Sequence, residues 1–488
     1  MSMRLQPSPL VRRYQAVFGG GATKILSLTD RGVVRYAQKQ EKRGLFINLT
    51  TVLLGPAVSD STRRPYSRSA ELSLDHSRVP KQAEQQDRSI IPDKGRFIMI
   101  SFELSQNRRI MRDTAAKFAR EEILPVRNQF ELDYADGKCM DKIFLEAAKL
   151  GLLGFPIEEK YGGSDGNNLD VMVILEEIAA VDGGVATAIG DTWFAMTPII
   201  IAADSEQRER FLRPLASRTE ANLAAICMTE PQSGADIEDP RMGLRTCRTI
   251  VTQDGADLVI NGTKAWPSNA GIAHLYVVVG TVDPKLGEQG SCLVVVEKDR
   301  KGLSFGKPEQ KMGMHADRNS EVILENVRAP RKNLLGNIGD GAKILQRTLI
   351  YNRLGGGMIS VGIARGAFEY ALGYCKERVV GGKPLIEHSL IADMFAKMAT
   401  NIDAARLLVF RSAWANMNRH PDRARFSDMA KVFATNMAME VTTQCVQVMG
   451  SYGYSKEYPV EKYMRDAKIV QIFLGPNELL TQLIGKSL

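Results

Sequence analysis

The sequence predicts an α+β fold in which helices and strands occupy separate blocks. Two observations lead there. Apolar residues recur at helical spacing from about residue 102 to 225 and again from about 340 to 488, whereas the chain between 226 and 335 breaks into short β-prone runs. In addition, no GxGxxG stretch follows a strand, so helix, strand and helix in blocks reads as segregation rather than βαβ alternation.

Composition bounds the rest. The 488 residues are 44% hydrophobic and 25% charged, as in an ordinary globular protein. No run of 18 apolar residues is present, so no membrane span is expected. Six scattered cysteines form no CxxC pair and five histidines are dispersed, which argues against a metal site or a disulfide framework and suits a reducing compartment. The net charge of +8 is concentrated at one end. Residues 1–98 hold 17 Lys/Arg against 8 Asp/Glu, leaving 47 basic and 48 acidic residues in the body. A nucleic-acid partner is therefore not expected.

The elements follow in order. Residues 1–98 form a basic extension rich in Arg, Ser, Gln and Pro. It reads as translated upstream sequence before a start at Met99, as a disordered tail, or as a targeting peptide, because the first 30 residues carry Arg4, Arg12, Arg13 and Lys24 but only Asp30 as an acid. The expected location is the cytoplasm, or the mitochondrial matrix if a transit peptide is present. A helical domain is expected over 99–225, with a break at the glycine-rich loop Tyr161–Gly166. A β domain is expected over 226–337, with strands at 258–260, 275–279, 292–296 and 322–324 and a hairpin turn at Asn261-Gly262. A second helical domain is expected over 338–488, with long helices at 357–377, 387–416 and 427–449.

Three short stretches could carry chemistry. Cys227-Met228-Thr229-Glu230-Pro231-Gln232-Ser233-Gly234-Ala235-Asp236 opens the β domain; most such loops are only turns, but this one offers backbone N–H groups and small hydroxyls. Gly262-Thr263-Lys264-Ala265-Trp266-Pro267-Ser268-Asn269 could equally be a hairpin with one packed indole. Tyr458-Pro459-Val460-Glu461-Lys462-Tyr463-Met464-Arg465-Asp466-Ala467-Lys468 leads to Ile472-Phe473-Leu474-Gly475-Pro476-Asn477-Glu478 near the C-terminus.

Together these stretches resemble, in order, the motifs of the acyl-CoA dehydrogenase family over about residues 102–488. The resemblance implies a middle domain like a β-barrel and a C-terminal four-helix bundle. It implies FAD, with Met228, Thr229 and Ala235 in the flavin loop, Trp266 shielding the ring and the Ser268 hydroxyl near N5; Ala235 stands where the family has Ser. Arg378 resembles an Arg that meets a neighbouring subunit's FAD. Gln447, Gly450 and Ser451, in Gln447-Val448-Met449-Gly450-Ser451-Tyr452-Gly453-Tyr454, resemble a segment approached by the dinucleotide, with Ser451 replacing a Gly. A homo-oligomer, typically a tetramer, follows. So do an acyl-CoA or acyl-carrier-protein thioester as substrate and an electron-transfer flavoprotein or another acceptor.

The chemistry departs from the family. Its base is a Glu in an aromatic-Glu-Gly-Thr pattern, and here that position is Leu474, whose side chain accepts no proton. Its backbone N–H can still stabilise an oxyanion. Some relatives place the Glu just before an Arg in the helix that opens the last domain; here that pair is Asn352-Arg353, with Arg353 left to meet CoA. Asp191, in Gly190-Asp191-Thr192-Trp193-Phe194, lies in a segment resembling the acyl-pocket wall, where certain cyclic-acyl relatives use an Asp. It is the candidate base, against the plainer role of a helix cap or loop acid. The expected reaction is α,β-dehydrogenation with hydride transfer to flavin. The alternatives are a desulfinase or flavin monooxygenase on the same scaffold, or a non-catalytic subunit.

Overall fold

The computed structural model describes residues 103–133 and 137–488, and four strands near the N-terminus. The chain divides into two units, 1–99 and 100–488. In the first unit β1 (Arg12–Val17), β2 (Thr23–Leu28), β3 (Val33–Gln38) and β4 (Thr51–Leu53) pair in sequence as an antiparallel meander. Apart from these strands, residues 1–98 lie outside those described, and with them most of the segment read above as an extension.

The second unit starts with helices α1 (Gln106–Phe118), α2 (Phe130–Asp133), α3 (Lys138–Lys149), α4 (Asn168–Ala179), α5 (Gly183–Ala202) and α6 (Ser205–Leu215). Asn167 and Asp204 begin α4 and α6 with reciprocal capping boxes, and the Asp182 carboxylate accepts from the Val185 N–H to begin α5. By length and composition α5 could cross a membrane, yet 78% of its apolar window is buried inside the protein. It packs against α4, β5 and α8.

Next come β5 (Ala224–Cys227), the short α7 (Ala235–Glu238), β6 (Ile250–Asp254), β7 (Asp257–Lys264), β8 (Leu275–Thr281), β9 (Ser291–Glu297), β10 (Leu303–Phe305) and β11 (Val322–Pro330). The sheet order is β10-β11-β7-β6-β8-β5, with β9 on β8. β5 runs parallel to β8. β8 and β9 are fully or nearly fully buried, consistent with their unbroken apolar runs.

Asn261-Gly262 is not the hairpin turn. The β6–β7 hairpin closes between Asp254 and Asp257, with Gly255 at φ 60°. Asn261-Gly262 sits inside β7 opposite a bulge in β11, where the register shifts between Leu324 and Val327. The Asn261 amide bridges that bulge: its Oδ1 accepts from the Asn326 N–H at 2.8 Å and its Nδ2 donates to Asn326 Oδ1 at 3.2 Å. Gly262 is needed because a Cβ there would lie 2.7 Å from Thr249 Oγ1.

The last part holds α8 (Gly341–Glu377), the two-residue strands β12 (Val379–Val380) and β13 (Lys383–Pro384), α9 (Ser389–Met417), α10 (Arg423–Met449), α11 (Ser451–Tyr454), α12 (Val460–Val470) and α13 (Asn477–Lys486). α8 is the central element, packed against α4, α5, α9, α10 and α12. It runs unbroken through Gly355-Gly356-Gly357. A Cβ on these residues would meet Phe194 at 2.3 Å, Leu474 at 3.3 Å and Val409 at 3.1 Å respectively. Glycine's helix penalty is outweighed here by three close approaches.

Candidate active site

The loop after β5 is tied to the end of β7. Lys264 Nζ donates to Met228 O at 3.0 Å, and the Ala265 N–H donates to Thr229 O at 2.9 Å. Glu230 is the anchor. Its carboxylate accepts from Lys264 Nζ (2.8 Å), Thr249 Oγ1 (2.6 Å) and the backbone N–H groups of Thr249 (2.9 Å) and Arg248 (2.7 Å). Burial alone would raise this carboxyl, but Lys264 and these hydrogen bonds outweigh it and hold it below the usual range. The ion pair is fully enclosed, with side-chain exposures of 0% and 1%. Both residues stand in the motifs read from the sequence, but 34 residues separate them and no local signal pairs them.

Trp266 and Ser268 follow β7. Trp266 takes φ 69° and leaves its indole 56% exposed, an unusual state for the largest apolar side chain. Asn319 fixes the turn: its Nδ2 donates to Trp266 O at 2.8 Å and to Ser268 Oγ at 3.3 Å. Ser268 Oγ in turn donates to Asp317 Oδ2 at 2.9 Å. The next residue, buried Asn269, donates to Ala188 O at 2.9 Å and so fastens this loop to α5. Met228 is buried, whereas Ala235, the first residue of α7, is exposed.

Asp191 lies in the middle of α5, which rules out the cap and loop roles. It is buried, and its Oδ2 has no hydrogen-bond partner. Burial, and then the charge of Asp317, push its carboxyl well above the usual range, opposed by the Ile226 backbone. Asp191 thus faces the β5 edge and the Ser268–Asp317 network.

Leu474 occupies a strained turn, with φ 55° followed by Gly475 at φ 90°. Its side chain is 5% exposed and rests on α8 at Gly356. Cations on two helices hold the turn's carbonyls. Arg353 Nε donates to Leu474 O at 3.1 Å while its Nη1 donates to Asp428 at 2.8 Å. Lys431 Nζ donates to Gly475 O (2.7 Å), Asn477 Oδ1 (2.9 Å) and Gln471 O (3.3 Å). Arg353, the expected CoA contact, is 3% exposed: its Nε and Nη1 are engaged by Leu474 O and Asp428, and its Nη2 has no hydrogen-bond partner. Asn352 is also buried and donates to Phe194 O at 3.3 Å. Sequence reasoning missed Glu238, a buried acid at the end of α7. A Cβ on Gly475 would lie 3.4 Å from both its Oε2 and Arg353 Nη2.

Arg378, Gln447, Gly450 and Ser451 form a second group on the C-terminal helices. All four are exposed, and the Arg378 guanidinium lies 5.6 Å from the ring centroid of Tyr452. Gly450 ends α10 at φ 60° and ψ −136°, with open space where a Cβ would be. Among the described contacts none joins this group to the Trp266 loop.

Three sequence profiles match in order: the acyl-CoA dehydrogenase N-terminal domain over residues 105–219, the middle domain over 225–327 and the C-terminal domain over 339–488. The chain belongs to the acyl-CoA dehydrogenase family. The acyl-CoA dehydrogenase of Bacillus subtilis is 33% identical over 386 residues, covering 79% of this chain and 98% of that one. The cyclohex-1-ene-1-carbonyl-CoA dehydrogenase of Geobacter metallireducens is 35% identical over 385 residues, with 79% and 98% covered. The butyryl-CoA dehydrogenase structure from Megasphaera elsdenii superposes with a TM-score of 0.75 at 34% identity, covering 80% of this chain and 99% of that one. This acyl-CoA dehydrogenase family member is therefore an oxidoreductase of the class that acts on CH–CH groups, in a family of flavoproteins.

Proposed function

We propose that this protein uses FAD to dehydrogenate an acyl-CoA thioester across its α,β bond, with Asp191 as the base in place of the family's Glu. The cofactor fits the residues present. The exposed indole of Trp266, the neighbouring Ser268 hydroxyl and the backbone-tethered Met228–Thr229 loop make a wall with one aromatic and one polar edge. Ala235 would border the same ring. Arg378, Gln447, Gly450 and Ser451, exposed and far from that wall in sequence, would serve the FAD of a partner copy, which makes a homotetramer the assembly of choice. FAD supplies an acceptor for the β-hydride.

The chain's own part is to acidify and remove the α-proton. In this reading the Leu474 N–H, in a turn clamped by Arg353 and Lys431, donates to the thioester carbonyl and stabilises the developing negative charge. Leu474 and Asn352 cannot take the proton. Asp191 can, and its isolation from cations makes it a strong base for a carboxylate. The observation that carries this reading is a buried mid-helix carboxylate with an unpartnered oxygen. The Geobacter relative favours cyclic acyl-CoA thioesters as substrates, and an electron-transfer flavoprotein is the proposed acceptor. The dehydrogenase relatives favour this chemistry over desulfination, monooxygenation or a silent subunit. A cytoplasmic site is retained, with the mitochondrial matrix as the alternative.

The test is anaerobic titration of the yellow protein with straight-chain, branched and cyclic acyl-CoAs. Bleaching of the visible flavin band is expected for at least one thioester, and its rate should fall by at least about a hundredfold in Asp191→Asn. A variant that bleaches like the wild type would remove Asp191 from the mechanism.

A further inference from the structure

Between β10 and β11 the chain passes beneath Trp266 and Ser268 and brings three polar side chains to them. Asn319 binds Trp266 O and Ser268 Oγ, Asp317 accepts from Ser268 Oγ, and Lys311 donates to Asp317 O and Asn319 Oδ1. Lys311 Nζ also lies 3.7 Å from Asp317 Oδ2. His315 closes the far side, one ring nitrogen on Lys311 O at 2.8 Å and the other on Glu131 at 2.9 Å. Asp317 is 5% exposed, and its Oδ1 has no hydrogen-bond partner.

A serine hydroxyl has one proton to give. At Ser268 that proton goes to Asp317, and one lone pair is taken by Asn319. What remains for a ligand beside Trp266 is a lone pair, so the residue presents an acceptor. We propose that Asp317 is a positioning residue that dictates this polarity, turning Ser268 from a donor into an acceptor toward the flavin and so setting the cofactor's redox equilibrium.

The proposal rests on the flavin reading above. Burial pushes the Asp317 carboxyl up, but Lys311 and the hydrogen bonds from Ser268 and Asn319 oppose that shift. Asp191, facing it from α5, has only the Ile226 backbone in the same role. Both carboxyls end above their usual range; what sets Asp317 apart is its contacts, an ammonium 3.7 Å from Oδ2 and the Ser268 hydroxyl donating to that same oxygen at 2.9 Å, which favour the form that takes the serine proton.

The test is a double-mutant cycle on full-length flavoprotein, using Ser268→Ala, Asp317→Asn and both together. The readouts are the midpoint potential of bound flavin, by equilibration with a reference dye, and the dissociation constant for FAD. Asp317→Asn is expected to change the reduced-to-oxidised flavin ratio at fixed poise by about tenfold or more, which is about 30 mV for a two-electron couple. In the Ser268→Ala background the same substitution should change it less than twofold. Equal shifts in both backgrounds would show that Asp317 acts only as a charge, and an unshifted Asp317→Asn flavoprotein would refute the inference outright. A wild-type protein that takes up no FAD would overturn the cofactor reading itself, an outcome visible before any variant is compared.

Discussion

Lys431 offers a sharp test of how the Leu474 turn is held. Its ammonium has no exposed surface and is surrounded by three acceptors: Gly475 O, Asn477 Oδ1 and Gln471 O. Full satisfaction needs all three N–H groups, so hydrogen bonding favours the charged form. Burial opposes it and dominates: the pKa falls from its ordinary 10.5 to about 7, with Glu238, Glu478 and Asp428 pulling it up and Arg353 pushing it further down. The native state then sheds this proton near pH 7, while the unfolded chain keeps it to about 10.5. Between these values unfolding takes up a proton, so this group makes stability rise with pH by about 1.4 kcal/mol per unit, about 5 kcal/mol over the window. Below pH 7 it adds no slope. Lys431→Met keeps the volume and removes the titration. Denaturant unfolding of both proteins at pH 7.5, 8.5 and 9.5 should show a wild-type slope steeper than the variant's by up to that amount. Parallel curves would mean that Lys431 stays charged throughout and that its three acceptors outweigh burial. Amide exchange in 471–477 should accelerate in the variant at every pH, since the carbonyls of Gln471 and Gly475 lose their donor.

Three other outcomes are expected. Lys264→Met leaves Glu230 buried without its cation and should cost about 3–5 kcal/mol, seen as a lower thermal midpoint; adding Glu230→Leu should recover much of the loss. Leu474→Glu restores a carboxylate at the turn and should speed flavin bleaching by a straight-chain acyl-CoA about a hundredfold in stopped-flow traces; no gain would show that the turn does not address the thioester. As the proposed base, Asp191 would have to be ionised, and its carboxyl is raised, so the bleaching rate should climb with pH through that raised value, and Asp317→Asn should move the inflection to lower pH by relieving the like charge.

The block order of the fold was legible because apolar periodicity changes abruptly near 226 and 340. The misread elements have physical reasons. The helical segment read at 357–377 is the second half of α8, which begins at Gly341 and runs through Gly355-Gly356-Gly357 because each glycine makes room for a neighbour distant in sequence. Asn261-Gly262 carries the signature of a tight turn but serves a bulge, a choice made by Asn326 on another strand. In the site, Asp191 is singled out only because its segment resembles the family's acyl-pocket wall; its place in mid-helix is not legible there. Its orphaned oxygen and its neighbour Asp317 come only from tertiary packing. The pairs that hold the loops, Glu230 with Lys264 and Lys431 with Asn477, join residues 34 and 46 apart and leave no local pattern. Arg353 was noticed for its place beside Asn352, but its hold on the Leu474 turn comes only from tertiary packing.

Among the described residues, two buried acids with an unpartnered oxygen stand near the Leu474 turn and the Ser268 loop, Glu238 and Asp191, apart from Asp317, whose other oxygen accepts from Ser268. Their surroundings separate them. Both carboxyls are raised by burial. Around Glu238, Arg353 and Lys431 favour the ionised form, which weakens it as a base, and it lies against Gly475 among the groups that hold the turn from behind. Around Asp191 no cation intervenes and the neighbouring charge is negative, so burial and Coulomb repulsion act together to raise its proton affinity. Proton abstraction next to a thioester needs the stronger base, whereas Glu238 sits beside Arg353 and Gly475, where a carboxyl serves to hold the turn. The Leu474 turn thus rests on an ionic scaffold, and in the proposed reading the base sits on α5. If Asp191→Asn and Glu238→Gln are compared, this division predicts a lost bleaching rate with normal folding for the first, and a destabilised turn with bleaching that survives for the second.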